Sequence, residues 1–397
     1  MAQPATIRFA VVGAGRGKSF IQAAANPDAG VELVAVCDRR PTALEQWRES
    51  GVSLFTDLEE VLNDPKIDAV CLATPVNQHA RQAIAALDAG KHVLSEVTAA
   101  FTLEECWDLI EAVNRSGRTY MMAENYCFTE AAMQVQNMVE HGVFGELTYA
   151  SGSYLHDARN LLFDPEGELT WRGELRRDFG PANGYPTHSL GPVARWLGIN
   201  RTDRLVTTAS WHTNSRGITN YACRNFPELT DYQAPGYWAH ADSVTTHIRT
   251  EHGALINLRF DIASARPHQL MRYELQGTKA AYVLPDGINP QPLVWIEGRS
   301  KTDARGIAGN WEPLFNYRAE FAHPLWRDHR EAATKAGHGG GDYFLLREFS
   351  SAIREQRPPL IDVYDAVTWS SLIPLSLQSI AANGAPVAIP NFRSPLS

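Results

Sequence analysis

Hydrophobic residues in the first 125 positions fall in short runs rather than long stripes. Ile7–Gly13, Val31–Cys37, Ala69–Ala73 and His92–Leu94 are mostly apolar, and strands buried on both faces read as such near-continuous runs. Between them the period changes. In residues 79–89, Ala83, Ile84 and Leu87 recur on one helical face, and Gly90 stands where a C-cap belongs. Short apolar runs separated by helices predict a doubly wound parallel sheet. After about residue 145 the pattern changes: Leu147–Leu155, Leu205–Thr213, Ser243–Thr250, Ala254–Ile262 and Arg272–Gln276 are strand-like, with few helices between them. That predicts a large, open, mainly antiparallel sheet. Residues 342–354 and 363–380 return to helical periodicity and are expected to pack beside that sheet or back against the first domain. The expected class is therefore α/β, with a cofactor domain over residues 1–125 and an α+β domain for substrate binding and oligomerisation over 126–397.

Composition narrows the function. The chain has 397 residues, 44% of them hydrophobic, with 29 Gly and 10 Trp, which excludes a disordered, collagenous or disulfide-stapled protein. Its 36 Lys and Arg against 45 Asp and Glu give a net charge of −9 with no basic block, so no nucleic-acid partner is expected. No apolar run approaches the roughly 18 residues that span a bilayer, and no membrane partner is expected. Residues 1–6 lead directly into the first apolar run, with no room for a signal peptide. A cytoplasmic protein is expected, with a trimmed leader left open. Five widely spaced cysteines, Cys37, Cys71, Cys106, Cys127 and Cys223, suggest reduced thiols. None has zinc-ligand spacing, and no metal site is expected.

The first run ends V-V-G-A-G-R-G-K. Gly13 and Gly15 occupy the first two positions of the dinucleotide fingerprint, where a side chain would block the turn and the approach of backbone N–H groups to a pyrophosphate. Arg16 and Gly17 complete the turn; Lys18 stands where the third glycine is expected. A simple strand-to-helix turn has the same glycines. Asp38 follows Gly13 by 25 residues, at the end of the second run, where a carboxylate can bind the adenosine ribose. It would repel a 2′-phosphate, favouring NAD over NADP, although Arg39 and Arg40 are adjacent. The alternative for Asp38 is a helix N-cap.

The third and fourth runs are more specific. D-A-V-C-L-A-T-P-V-N-Q-H, with Thr74, Pro75, Asn77 and His79, and A-G-K-H-V-L-S-E, ending in Glu96, resemble the glucose-fructose oxidoreductase, inositol dehydrogenase and MocA family. The resemblance implies a Rossmann domain in which these segments line the dinucleotide. Ordinary members continue Glu-Lys-Pro; here Val97 and Thr98 stand in place of lysine and proline. They also place an aspartate four residues before the histidine retained here as His188, where this chain has Gly184.

Loss of the lysine, with S-E-V-T at that point of the chain, resembles the NAD-dependent glycoside hydrolases of family 109, related to α-N-acetylgalactosaminidase. Further matches are M-M-A-E-N-Y with Glu124, S-G-S-Y-L with Tyr154, T-W-R-G with Arg172, Y-P-T-H-S-L-G-P with Tyr185 and His188, and G-H-G-G-G-D-Y-F with His338 and Asp342. The resemblance covers residues 6–385. It departs at His268, where the family has tyrosine, and at Gly341, where it has methionine, which bears on the aminosugar specificity.

The resemblance implies a redox-neutral glycosidase. Oxidation of carbon 3 to a ketone acidifies the proton on carbon 2, the aglycone leaves by elimination, water adds to the enone at carbon 1, and carbon 3 is reduced again. His188 is the candidate acceptor of the carbon 3 hydroxyl proton, and Tyr154 the candidate base at carbon 2. A free phenol titrates near 10, so Tyr154 needs a cation, and Arg172 is available; strand tyrosines are also ordinary packing residues. Glu124 is a candidate for polarising hydroxyls or assisting the leaving group, and Tyr185 for orienting hydroxyls. Arg172, His268, His338 and Asp342 are substrate-binding candidates. Trp171, Trp211 and Trp238 are stacking candidates whose default place is the core. Arg172, Arg176 and Arg177 suit an anionic substituent such as a sulfonate or uronate, or else form a solvated loop face. The resemblance also implies a homodimer or a dimer of dimers pairing through the second sheet. The alternative function is a net NAD(P)-dependent sugar oxidoreductase of the same fold.

Overall fold

A computed structural model describes residues 6–267, 271–287, 290–302, 309–335 and 337–394. They form two compact units, neither continuous in sequence. One comprises the described residues of 1–133, 323–371 and 392–397, and the other residues 134–322 and 372–391.

The first unit is built on a parallel sheet of six strands in the order β3-β2-β1-β4-β5-β6: β1 (Ile7–Val12), β2 (Val31–Cys37), β3 (Ser53–Phe55), β4 (Ala69–Leu72), β5 (His92–Ser95) and β6 (Tyr120–Met122). The four apolar runs are the four central strands. β4 is buried at every position, as a strand covered on both faces must be. The order reverses between β1 and β4, so the carboxyl ends of these two strands form the switch point where α/β sheets bind ligands. The helix Leu103–Ser116 starts on a capping box, in which the Thr102 hydroxyl accepts from Glu105 N at 3.0 Å and the Glu105 carboxylate accepts from Thr102 N at 3.1 Å. The late helices Gly341–Glu355 and Val363–Ser370 belong to this unit; Phe349 of the first meets Phe9 of β1 with ring centroids 6.4 Å apart.

The second unit carries nine strands in the order β14-β13-β12-β11-β7-β10-β9-β8-β15: β7 (Leu147–Leu155), β8 (Leu205–His212), β9 (Ser243–Thr250), β10 (Leu255–Asp261), β11 (Met271–Gly277), β12 (Ala280–Leu284), β13 (Leu293–Ile296), β14 (Glu312–Pro313) and β15 (Val387–Ala388). All its pairings are antiparallel except β7 with β10. The helix Pro186–Trp196 lies on β7, and Gly152 sets how closely: a Cβ there would stand 2.0 Å from the Ser189 carbonyl oxygen. Pro192 has no N–H to give the carbonyl four residues back, that of His188. The Tyr273 hydroxyl of β11 donates to that carbonyl at 2.5 Å. The helix start is thereby pinned to the sheet, and the strand period of two puts Tyr154 on the same face as Gly152, beside it.

Among the described residues no helix is long and apolar enough to cross a membrane. All five cysteines are free thiols, four of them buried.

Candidate active site

In the first unit the glycine turn closes over the end of β1. Gly13 has φ +97°, its N–H donates to Cys37 O at 2.8 Å, and a Cβ on it would stand 2.4 Å from Ala73 O. A Cβ on Gly15 would meet nothing within 4 Å. Gly17 is the N-cap of the helix Lys18–Ala24, whose first turn carries no acidic side chain.

Arg16 is engaged by carboxylates. Its Nη2 lies 2.7 Å from Glu96 Oε1 and 3.2 Å from Asp342 Oδ1, and its guanidinium sits 4.8 Å over the Phe20 ring. Burial alone would weaken its charge; Glu96 and then Asp342 outweigh that and hold it above its ordinary value. Asp342 is fully buried, so the structure places it against Arg16, where the sequence pattern suggested a contact with substrate.

Asp38 Oδ2 accepts from Ala14 N at 3.0 Å, and Oδ1 accepts from Arg40 N at 3.0 Å and from Arg40 Nε at 3.3 Å. Burial raises its pKa, but the bonds from Arg40 and Ala14 prevail and leave the carboxyl below the usual range. Such a group adds stability above its unfolded pKa, near 4, and the contribution is lost as pH falls through the lower folded value. Asp38→Asn is therefore expected to be less stable than the native chain in urea unfolding at pH 7, with the gap closing as pH falls below about 4. A gap that persists in acid would assign the loss to geometry instead of charge.

On the β4 side, the Thr74 hydroxyl donates to Gln82 Oε1 at 2.5 Å. Pro75 precedes the turn Val76–Gln78, and Asn77 on that turn is exposed. His79 is buried, with Nδ1 2.9 Å from Thr98 O and Nε2 2.9 Å from Thr74 O, so its ring ties the end of β4 to the segment after β5. Glu96 Oε2 also accepts from Val97 N at 3.1 Å. Glu124 is fully buried, and its Oε1 accepts from Tyr126 N at 3.2 Å as the cap of the turn Asn125–Phe128. His338 lies on the turn His338–Gly340 ahead of Asp342. His268 lies outside the described residues.

In the second unit three candidate rings meet. Tyr154 and His188 have centroids 5.3 Å apart, Tyr154 and Tyr185 5.6 Å, and Tyr185 and His188 5.0 Å. Phe260, in register with Tyr154 across β7 and β10, stacks on it at 6.2 Å. The helix Trp171–Asp178 brings Arg172 and Arg176, one turn apart, to the same place. Burial lowers both guanidinium pKa values, that of Arg176 to about 10, while the Tyr154 phenol raises them. Tyr185 supports Arg172 in the same way. Trp238 is not available for stacking on a sugar: it packs in a core cluster with Phe163 and Tyr232, and its Nε1 donates to Tyr232 O at 3.0 Å. Trp211 is half exposed on β8, and Trp171 lies under the Arg172 guanidinium at 4.3 Å.

Sequence reasoning missed His240. It sits in W-A-H-A-D ahead of β9, with no motif around it. Its backbone N–H donates to Arg176 O at 3.0 Å, and the pairing of β9 with β10 brings its ring to Phe260, at 5.6 Å.

The family model described as "Glycosyl hydrolase 109, C-terminal domain" matches residues 128–395, and that described as "Oxidoreductase family, NAD-binding Rossmann fold" matches residues 7–124. The chain belongs to glycosyl hydrolase family 109. A family 109 protein of Solibacter usitatus is 35% identical, covering 98% of this chain and 88% of the relative. An alpha-N-acetylgalactosaminidase of Tannerella forsythia is 33% identical, covering 97% and 86%. Among solved structures, levoglucosan dehydrogenase in complex with NADH and L-sorbose superposes with a TM-score of 0.78 at 22% identity, covering 98% of this chain and all of that one. That likeness shows the fold. This family 109 chain is accordingly an enzyme with an NAD-binding Rossmann unit.

The residues of that unit fit the cofactor. The open space over Gly15 and the acid-free helix start suit a pyrophosphate, and Asp38 stands at the end of β2 with its charge favoured.

Proposed function

We propose that this family 109 enzyme is an NAD-dependent glycoside hydrolase whose turnover is redox-neutral. The observation that supports it best is the meeting of Tyr154, Tyr185 and His188 with two arginines. The lysine and aspartate of ordinary sugar dehydrogenases of this fold are meanwhile replaced by Val97 and Gly184. Bound NAD supplies a reversible acceptor for the hydride of sugar carbon 3.

The residues supply the proton transfers. His188 takes the carbon 3 hydroxyl proton and later returns it. Tyr154, between Arg172 and Arg176, works as a tyrosinate and removes the carbon 2 proton that the neighbouring ketone has acidified, then reprotonates the same carbon. Tyr185 orients hydroxyls through its phenol. Glu124 polarises hydroxyls or assists the departing aglycone. Gly13, Gly15, Gly17, Asp38, Thr74, Pro75, Asn77 and His79 line the dinucleotide, while Glu96 and Asp342 hold Arg16 in place beside it. The same reading carries a homodimer or a dimer of dimers.

The test uses the protein as purified, with no nicotinamide added and a panel of aryl glycosides that includes the α-N-acetylgalactosaminide. Phenol release without net NADH, with deuterium entering carbon 2 from heavy water, is expected. Stoichiometric NADH without phenol would make the enzyme a sugar oxidoreductase, and an unexchanged product would exclude the elimination route.

A further inference from the structure

Nothing in the backbone requires residue 184 to be glycine. Gly184 lies outside the left-handed region that favours glycine, so the constraint on it is one of side-chain space. A Cβ there would stand 3.1 Å from Arg176 Nη1, 3.5 Å from Arg176 Nη2 and 3.2 Å from His240 Nε2. Both terminal nitrogens of the guanidinium close on the bare α-carbon, and a carboxylate carried on such a Cβ would be held by them as an ion pair. His240 brings no competing charge, since burial and Arg176 keep its ring neutral.

Arg176 itself makes no ion pair among the described residues. Three acids on its helix and near the ends of β7 and β10 are engaged by others: Asp178 by Arg177 at 2.7 Å, Asp157 by Arg159 at 2.7 Å, and Asp261 by Ser264 Oγ at 2.7 Å and Arg259 at 3.3 Å. In place of an acid Arg176 has the Tyr154 phenol. Its guanidinium lies 5.0 Å over the Phe260 ring, and Tyr154 stacks on that same ring at 6.2 Å. Burial and the Arg172 charge pull the Arg176 pKa down to about 10, and the Tyr154 phenol is the group that supports it. The support is mutual, because a cation that gains from a phenolate also favours that phenolate. The other charged and titratable groups around Tyr154 are Arg172 on the helix of Arg176, Tyr185 and His188 at the start of the next helix, His156 beyond the strand end and His240 across Phe260.

We propose that Gly184 selects the reaction: bare, it leaves Arg176 to Tyr154, and a carboxylate at this position would divert Arg176 and halt the cycle between the ketone and the elimination. The proposal rests on the glycosidase reading above. In the step it governs, the carbon 2 proton passes to the Tyr154 oxygen and its bonding pair becomes the double bond between carbons 1 and 2. The pair of the carbon 1–oxygen bond departs with the aglycone, so the negative charge that begins on Tyr154 ends on the leaving phenolate. Oxidation of carbon 3 comes earlier and calls on His188, which a carboxylate at 184 leaves in place.

The test compares Gly184→Asp with Gly184→Asn in the nucleotide-loaded enzyme at about pH 8, where a histidine is a neutral base. The two side chains crowd Arg176 alike and differ in charge. The first readout is the Tyr154 phenol, followed against pH by nuclear magnetic resonance with carbon-13 at the tyrosine carbon that bears the hydroxyl; Tyr154→Phe assigns the signal. Its midpoint is expected about one pH unit or more higher in Gly184→Asp than in Gly184→Asn, the cost of losing a neighbouring cation to an acid. The second readout is a single turnover on an aryl glycoside that the native enzyme cleaves. Nicotinamide reduction is expected in both variants, while phenol release and exchange at carbon 2 are about tenfold or more slower in Gly184→Asp, tenfold for each unit of the shift. If Gly184→Asp melts early, Arg176→Met is expected to move the midpoint the same way, and Arg176→Lys to restore part of it. Equal midpoints in the two Gly184 variants, equal losses of exchange in both, or a native midpoint in Arg176→Met would each overturn the proposal. The titration needs no turnover, which separates this inference from the glycosidase reading. A shifted midpoint with no phenol released by the native enzyme sinks the hydrolase and leaves the hold of Gly184 on Tyr154 standing. Phenol released by the native enzyme with midpoints unmoved does the reverse.

Discussion

The His188→Ala enzyme is expected to lose about 10²- to 10⁴-fold in turnover, the contribution of a positioned acid or base, while still holding NAD. The substitution removes only the ring. The His188 carbonyl keeps its bond from the Tyr273 hydroxyl, and the helix start stays fixed by the contact of Gly152 with Ser189. The ring is half-buried, so the cavity cost is that of a partial side chain and the fold survives. Its chemical neighbours are Tyr154 and Tyr185, 5.3 and 5.0 Å away between ring centres, and both have other work in the proposed cycle, Tyr154 at carbon 2 and Tyr185 on the hydroxyls. The decisive readout is nicotinamide reduction in a single turnover, which His188→Ala should lose together with phenol release. Tyr154→Phe should instead keep the reduction and lose both phenol release and exchange at carbon 2, because its step comes after the ketone forms. Full activity in His188→Ala would refute the role given to it. Loss of both signals in Tyr154→Phe would move that tyrosine to the first step.

These two steps depend on residues that the sequence shows unevenly. Strands β1, β2, β4 and β5 are legible because a parallel strand covered on both faces must be apolar at nearly every position. β3 and β6 have three residues each, too few to show a period. The strands of the second sheet show their alternation, but nothing local says that β7 pairs in parallel with β10 or that β11 lies on its other side. That order decides the site. It stacks Phe260 on Tyr154, lets Tyr273 reach the His188 carbonyl, and brings the His240 ring to Phe260. Tyr154, Tyr185 and His188 could be picked out because each sits in a motif resembling a known family. His240 has no motif and is visible only once β9 is placed. Trp238 takes its default place: its neighbours Phe163 and Tyr232, the first 75 residues away, make it core and leave no face for a sugar.

Gly13→Val is expected to remove NAD binding and to destabilise the first unit by at least about 2 kcal/mol, placing it among the strain and overpacking mutations that exceed the typical cost. Two costs add. At φ +97° any side chain meets the left-handed penalty of roughly 1–2 kcal/mol, and its Cβ would stand 2.4 Å from Ala73 O, deep inside contact distance. The backbone cannot step aside cheaply. Gly13 N is tied to Cys37 O and Ala73 N to Val12 O, both at 2.8 Å, so β1 is held to β2 on one side and to β4 on the other. Gly15→Ala separates turn geometry from cofactor contact. Its added methyl meets no protein atom within 4 Å, so the free protein should unfold within about 0.5 kcal/mol of the native one. The same methyl stands in the open space assigned to the pyrophosphate. The stabilisation that saturating NAD gives the native protein, about 2.7 kcal/mol at a hundredfold excess over Kd, should therefore shrink. Thermal unfolding of both variants with and without NAD measures both quantities. A Gly15→Ala protein stabilised by NAD as fully as the native chain would show that the pyrophosphate does not pass over this turn.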